Sequence, residues 1–135
     1  MNSTGNTILI TGGGSGIGRA LAVAFLERGN DVIVTGRNRD KLLEFESAHP
    51  GIHTYQLDVD DPEAIEVFSS QIVTDFPALN VLVNNAGIMR PEMIQQGSTA
   101  TAEATIVTNL LAPIRLTTAL LRHFLTKTEA AILTV

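Results

Sequence analysis

The sequence predicts an α/β protein: a doubly wound parallel sheet between two layers of helices, formed as one domain over all 135 residues. Three observations predict it. Five short apolar or β-branched runs recur along the chain, each separated from the next by a segment of helical spacing. The first run leads directly into a glycine-rich turn and then a helix. No internal repeat, low-complexity tract or linker interrupts the alternation.

The elements follow in order. Thr7 to Thr11 is the first strand, and the amphipathic stretch Arg19 to Arg28 is its helix, closed by Gly29 at the C′ position. Ile17, Leu21, Ala24 and Phe25 fall at helical spacing for packing on the sheet. Asp31 to Thr35 is the second strand, and a helix from Asn38 to Ala48 follows, stopped by His49-Pro50-Gly51. Ile52 to Leu57 is the third strand. Asp61-Pro62-Glu63 then supplies an N-cap, an N1 proline and an acidic first turn for a helix that ends before Pro77. Leu79 to Asn84 is the fourth strand. The fourth helix spans Thr99 to Leu125, and its Pro113 lacks a backbone donor and bends or breaks it. Ala130 to Val135 is the fifth strand.

Composition narrows the partners. A net charge of -5 disfavours nucleic acid and anionic membrane surfaces, which are themselves polyanionic. The chain has no cysteine, which excludes disulfides, thiolate metal sites and a cysteine nucleophile. Met1 to Thr7 is polar and no apolar run approaches ~20 residues, so a cytoplasmic protein that neither spans nor enters a membrane is expected. His49, His53 and His123 do not cluster with carboxylates; they are read as packing or surface residues, and no metal is expected.

The chemistry starts at Thr11-Gly-Gly-Gly-Ser-Gly-Ile-Gly18. Glycines at 12, 16 and 18 permit conformations that a Cβ forbids and let backbone N–H groups approach a pyrophosphate at a helix start. A P-loop would continue with Lys and Ser or Thr after its last glycine, whereas Gly18 is followed by Arg19-Ala20. The strict Gly-x-Gly-x-x-Gly fingerprint fails too, because Gly14-x-Gly16 is followed by Arg19 where glycine is required. Thr-Gly-x-x-x-Gly-x-Gly does fit.

That loop resembles the cofactor loop of the short-chain dehydrogenase/reductase family, and a second segment, Asn84-Asn85-Ala86-Gly87, is similar to the motif ending the family's fourth strand. Asp58 after the third strand and Asn109 within the fourth helix match as well, so the resemblance runs from Ile8 to Val135. It implies a Rossmann-type, three-layer αβα fold, truncated after the fifth strand, with NAD or NADP as cofactor and a small carbonyl or alcohol compound as substrate. Thr11, Gly12, Gly14, Ser15, Gly16, Ile17 and Gly18 would hold the pyrophosphate. Asp58 and Val59 would meet adenine, and Ala86 and Gly87 the adenosine ribose. Asn85, counted with the cofactor site, would chiefly tie neighbouring strands together. Asn109 resembles the family's active-site asparagine, which opens the helix and holds a water in the proton path. The Ile10 to Gly18 loop, Gly36-Arg37-Asn38 and Asn84 to Ile88 are most similar to a bacterial oxidoreductase subgroup linked to D-alanine transfer to teichoic acids.

Cofactor choice depends on the end of the second strand. An acidic residue there receives the ribose hydroxyls of NAD and repels a 2′-phosphate. Here the position is Gly36, followed by Arg37 with Arg39 close behind, so guanidinium groups favour NADPH over NADH.

In this family a tyrosine, its acidity raised by a lysine one helical turn later, moves the proton, and an upstream serine orients the carbonyl. The single tyrosine, Tyr55, has Val59 four residues on, and the lysines are Lys41 and Lys127. The resemblance therefore implies the amino-terminal, cofactor-binding half of an oxidoreductase, inactive alone, with catalytic residues beyond Val135. A homo-oligomer through the fourth helix is expected when the chain is full length. The alternative is a non-catalytic NADP(H)-binding module. Substrate is set by segments not present, although Met89 to Gln96 is expected to border the pocket.

Overall fold

The computed structural model describes every residue except Met93, Ile94 and Gln96. Five parallel strands, β1 (Thr7–Thr11), β2 (Asp31–Gly36), β3 (Ile52–Gln56), β4 (Leu79–Asn84) and β5 (Ala131–Thr134), form one sheet in the order β3-β2-β1-β4-β5. The chain reverses its direction of travel across the sheet between β1 and β4. In open α/β sheets ligands bind at this reversal, outside the carboxyl ends of the strands.

Alternation along β1 builds the two cores. Ile8 and Ile10 face one side, with Val32, Val34, Val81 and Val83 beside them and Ala22, Leu42 and Phe45 above. Leu9 faces the other, with Ile33, Leu79 and Leu82, under Ile65, Phe68, Ile72, Leu116, Leu120 and Phe124. Helices α1 (Gly16–Glu27) and α2 (Arg39–Ala48) cover the first face. The second is covered by α3 (Pro62–Asp75) and α5 (Ala112–Phe124), with α4 (Ala100–Ile106) preceding α5. The expected three-layer fold is what forms.

Two local readings change, and the expected irregularity of the fourth helix takes a definite form. Helix α1 starts at Gly16, inside the glycine loop, rather than at Arg19, and its buried face is centred on Gly18 and Ala22. Ile17 is 64% exposed and Ala24 also points outward, because the tight approach of Gly18 to the loop sets which face meets the sheet. The fourth helix is interrupted before Pro113, by a π-helical turn at Val107–Leu111. Pro113 has no N–H for the carbonyl of Asn109, four residues earlier, and the ladder shifts so that the Ala112 N–H bonds to the Val107 carbonyl. Finally, Ala100–Phe124 is 25 residues long and apolar enough to cross a membrane, by length and composition, contrary to the expectation of no such run. Its inner face enters the second core through Leu116, Leu120 and Phe124, while Ile106, Leu110, Ile114 and Leu121 form an exposed apolar outer face.

One further cap follows the sequence reading, and another is formed by the residue expected to open the second helix. Asp61 accepts the N–H groups of Glu63 and Ala64 at 3.0 and 3.2 Å, and Asn38 accepts that of Lys41 at 3.0 Å.

Candidate cofactor site

The loop after β1 contains three glycines that the fold itself requires. Gly12 has φ +65°, and a Cβ there would lie 2.9 Å from the Ala86 Cα. At Gly13 it would lie 2.5 Å from the Val34 Cβ, and at Gly18 2.6 Å from the Gly12 carbonyl oxygen. Gly18 has a helical backbone, so steric approach rather than left-handed geometry demands glycine there.

Gly14 is different. Its φ is not positive, and a Cβ would meet only Leu42 at 3.5 Å, an ordinary contact. The space beside it belongs to a groove of about 430 Å³ at the carboxyl ends of β1, β2 and β4, at the sheet's reversal point. Glycine at this position leaves room for something outside the chain. The start of α1 agrees: the Ser15 side chain makes no cap bond and the first turn has no acidic residue. Its N–H groups thus present a positive end that neither a side-chain cap nor an acidic residue in that turn answers. A pyrophosphate fits both features.

The far wall comes from β4. The Thr11 hydroxyl oxygen accepts the N–H groups of Asn85 and Ala86 at 3.1 and 3.0 Å, and the Asn85 amide donates to the Thr11 and Gly12 carbonyls at 3.0 and 3.3 Å. This clamp joins the two strand ends and sets the groove's width. One oxygen of Asp58 accepts the Asp60 N–H at 3.0 Å, which forms the turn after β3 and places its carboxylate at the groove's edge. Asp60 in turn accepts the Thr108 hydroxyl at 2.6 Å, tying that turn to the π-helical segment.

Of the residues singled out by sequence, Gly12, Gly14, Ser15, Ile17, Arg37, Asp58, Val59, Asn85, Ala86 and Gly87 line the groove. Thr11 and Gly18 stand behind it as supports, and Gly16, with φ +53°, turns the chain into α1. Asn109 lies apart from the lining; its amide pairs with the Ile88 backbone, accepting the N–H and donating to the carbonyl, both at 2.8 Å. Sequence reading missed Lys41, Leu42, Asp60 and Thr108 in the lining, and paired Arg37 with Arg39, which faces a separate groove with Leu43 and Glu46. Helical spacing from the Asn38 cap was the available signal for Lys41. Of Met89 to Gln96, residues Met93, Ile94 and Gln96 lie outside the described residues.

Tyr55 sits on the edge strand away from the groove, and its hydroxyl donates to Asp75 at 2.8 Å. Burial, then the Asp75 contact, pushes its pKa up to about 12, opposite to what proton transfer near neutral pH needs.

Comparison with known proteins matches this geometry. A family model described as short chain dehydrogenase matches residues 6–135. The chain is 41% identical over its whole length to the uncharacterized oxidoreductase DltE of Bacillus subtilis, covering 54% of that protein. It is 34% identical to the 3-oxoacyl-[acyl-carrier-protein] reductase FabG of Escherichia coli K12, covering 56% of it. A short-chain dehydrogenase crystal structure from Streptomyces avermitilis superposes with a TM-score of 0.88 at 30% identity, over 96% of this chain and 48% of that one. The chain thus spans about half the length of the relatives it matches. Fold, loop motifs and sequence agree: the chain belongs to the short-chain dehydrogenase family, whose members are oxidoreductases using a nicotinamide dinucleotide.

Proposed function

We propose that this chain is the cofactor-binding portion of an NADP-dependent oxidoreductase acting on a small carbonyl or alcohol compound. The observation that carries the reading is the free volume beside Gly14, which neither backbone geometry nor packing explains. When bound, the cofactor supplies hydride transfer at nicotinamide C4. The chain's own residues bind and orient: the α1 N-terminus faces the pyrophosphate, Asp58 the adenine amino group, and Ala86 with Gly87 the adenosine ribose. Asn109, by clamping Ile88 while its helix opens into a π turn, holds the segment that leads from the groove towards the reacting end. Proton transfer is assigned to a tyrosine and a lysine outside these residues, consistent with the length of the relatives and with the raised pKa of Tyr55. The exposed face of Ile106, Leu110 and Ile114 supports association of two copies.

Two variants test the reading. Gly14→Val is expected to melt close to the parent protein and to bind NADPH at least about 100-fold more weakly, since a branched side chain fills the groove while its Cβ makes only an ordinary contact with Leu42. Unchanged affinity in titration calorimetry would remove the cradle assignment. Arg37→Asp is expected to shift the NADPH to NADH affinity ratio towards NADH by about tenfold or more, through loss of a cation and gain of a repelling carboxylate. An unaltered ratio overturns the NADPH preference.

A further inference from the structure

We propose that Lys41 is a second cation for the 2′-phosphate of NADPH, acting with Arg37, and that Arg39 takes no part. The inference rests on the NADPH reading above and sharpens it. Lys41 and Arg37 line the same groove, on the first turn of α2 and the loop before it. Arg39 instead lines the adjoining groove, with Leu43 and Glu46. Residues 39 and 41 stand two apart, about 200° around a helix, so they cannot share a face.

Both cations stand on anchored stems. The Gln56 amide donates to the Arg37 carbonyl at 3.0 Å, and the Leu57 N–H to that of Gly36 at 2.9 Å. The Lys41 N–H is taken by the Asn38 cap, and Leu42 is buried in the first core, with its methyl group beside Gly14 and Gly36. That packing ties the start of α2 to the glycine loop, so the backbones that carry the two cations keep their place relative to the pyrophosphate cradle. Neither charge is paired: among the described residues no lysine or arginine contacts a carboxylate, and the one basic side chain that does is His53, 3.1 Å from Asp31. Asp58 and Asp60, the carboxylates of this groove, are engaged within their own turn and by Thr108. Two cations in one groove, neither paired with a carboxylate, suit a dianionic phosphate monoester.

The test uses 2′,5′-ADP and 5′-AMP as probes, measured by titration calorimetry on the purified protein, with Lys41→Gln, Lys41→Arg, Arg37→Gln and Arg39→Gln. Lys41→Gln is expected to weaken 2′,5′-ADP roughly tenfold and leave 5′-AMP within about twofold. It should also flatten the salt dependence of 2′,5′-ADP binding, Lys41→Arg should retain the parent affinity, and Arg39→Gln should match the parent throughout. Parent-like 2′,5′-ADP binding by Lys41→Gln, with a loss in Arg37→Gln, overturns the role of Lys41 alone. A loss in Arg39→Gln equal to that in Lys41→Gln overturns the assignment of faces. Equal binding of the two probes by the parent protein overturns the NADPH reading itself.

Discussion

Gly13→Ala is expected to lower the melting temperature by about 10 °C, although the backbone at Gly13 is one that alanine can adopt. The added Cβ would lie 2.5 Å from the Val34 Cβ and 2.6 Å from its Cγ1, well inside van der Waals distance. Val34 has nowhere to go: it is fully buried at the centre of β2, in register with Ile10 on one side and Thr54 on the other. The loop is held equally firmly, since the Gly13 N–H donates to the Thr35 carbonyl at 3.0 Å. Overpacking between two fixed backbones sits at the upper end of the usual range, about 3 kcal/mol. The check is a thermal melt of the single variant and of Gly13→Ala/Val34→Ala. The second substitution should recover part of the loss, because the two sites share one contact. A single variant melting within a degree or two of the parent would show that the loop is not wedged against Val34. Beside it, Gly14→Val should melt normally, so neighbouring glycines separate a packing role from a binding one.

Thr11→Val is expected to cost about 2 to 4 kcal/mol and to weaken NADPH binding by about tenfold. Valine preserves the shape of threonine but removes the oxygen that accepts the Asn85 and Ala86 N–H groups. Two half-buried donors lose their partner, each at about 1 to 3 kcal/mol. The Asn85 side chain still reaches the Thr11 and Gly12 carbonyls, so β1 and β4 stay joined while the Ala86 backbone is released. Ala86 forms the groove wall next to Gly12, and binding weakens with it. Hydrogen exchange should report faster exchange at the Asn85 and Ala86 amides, while Thr11→Ser, which keeps the oxygen, should behave as the parent. Unchanged exchange in Thr11→Val would show that the hydroxyl does not carry the clamp.

Much of this was legible in the sequence because it depends on local rules. The strands follow from apolar runs of the right length, and α3 from Asp61-Pro62-Glu63, whose cap bonds need only residues two and three positions on. The glycine loop was recognisable by spacing. Its inner assignments were not: Gly13, Gly14 and Gly18 look alike in sequence, yet Val34, open groove and the Gly12 carbonyl face them respectively. Ile17 fits the apolar stripe of α1 by periodicity but points into the groove, because helix rotation is set by how closely Gly18 approaches the loop. The irregularity near Pro113 was expected, whereas its form, a π turn that contains Asn109, and the pairing of that asparagine's amide with the Ile88 backbone came only with the structure.

The sequence by itself determined the order of elements, the parallel sheet they must build and the glycine-rich turn that leads the first strand into its helix, since these follow from periodicity, caps and glycine spacing. The tertiary structure alone decided which side chains meet. Lys41 rather than Arg39 lines the groove with Arg37, and Asp60 meets Thr108 across 48 residues of chain. The reason is that a helix face is chosen by packing against a distant sheet, and Leu42 seated beside Gly14 and Gly36 turns α2 so that one cation looks into the groove and the other away from it.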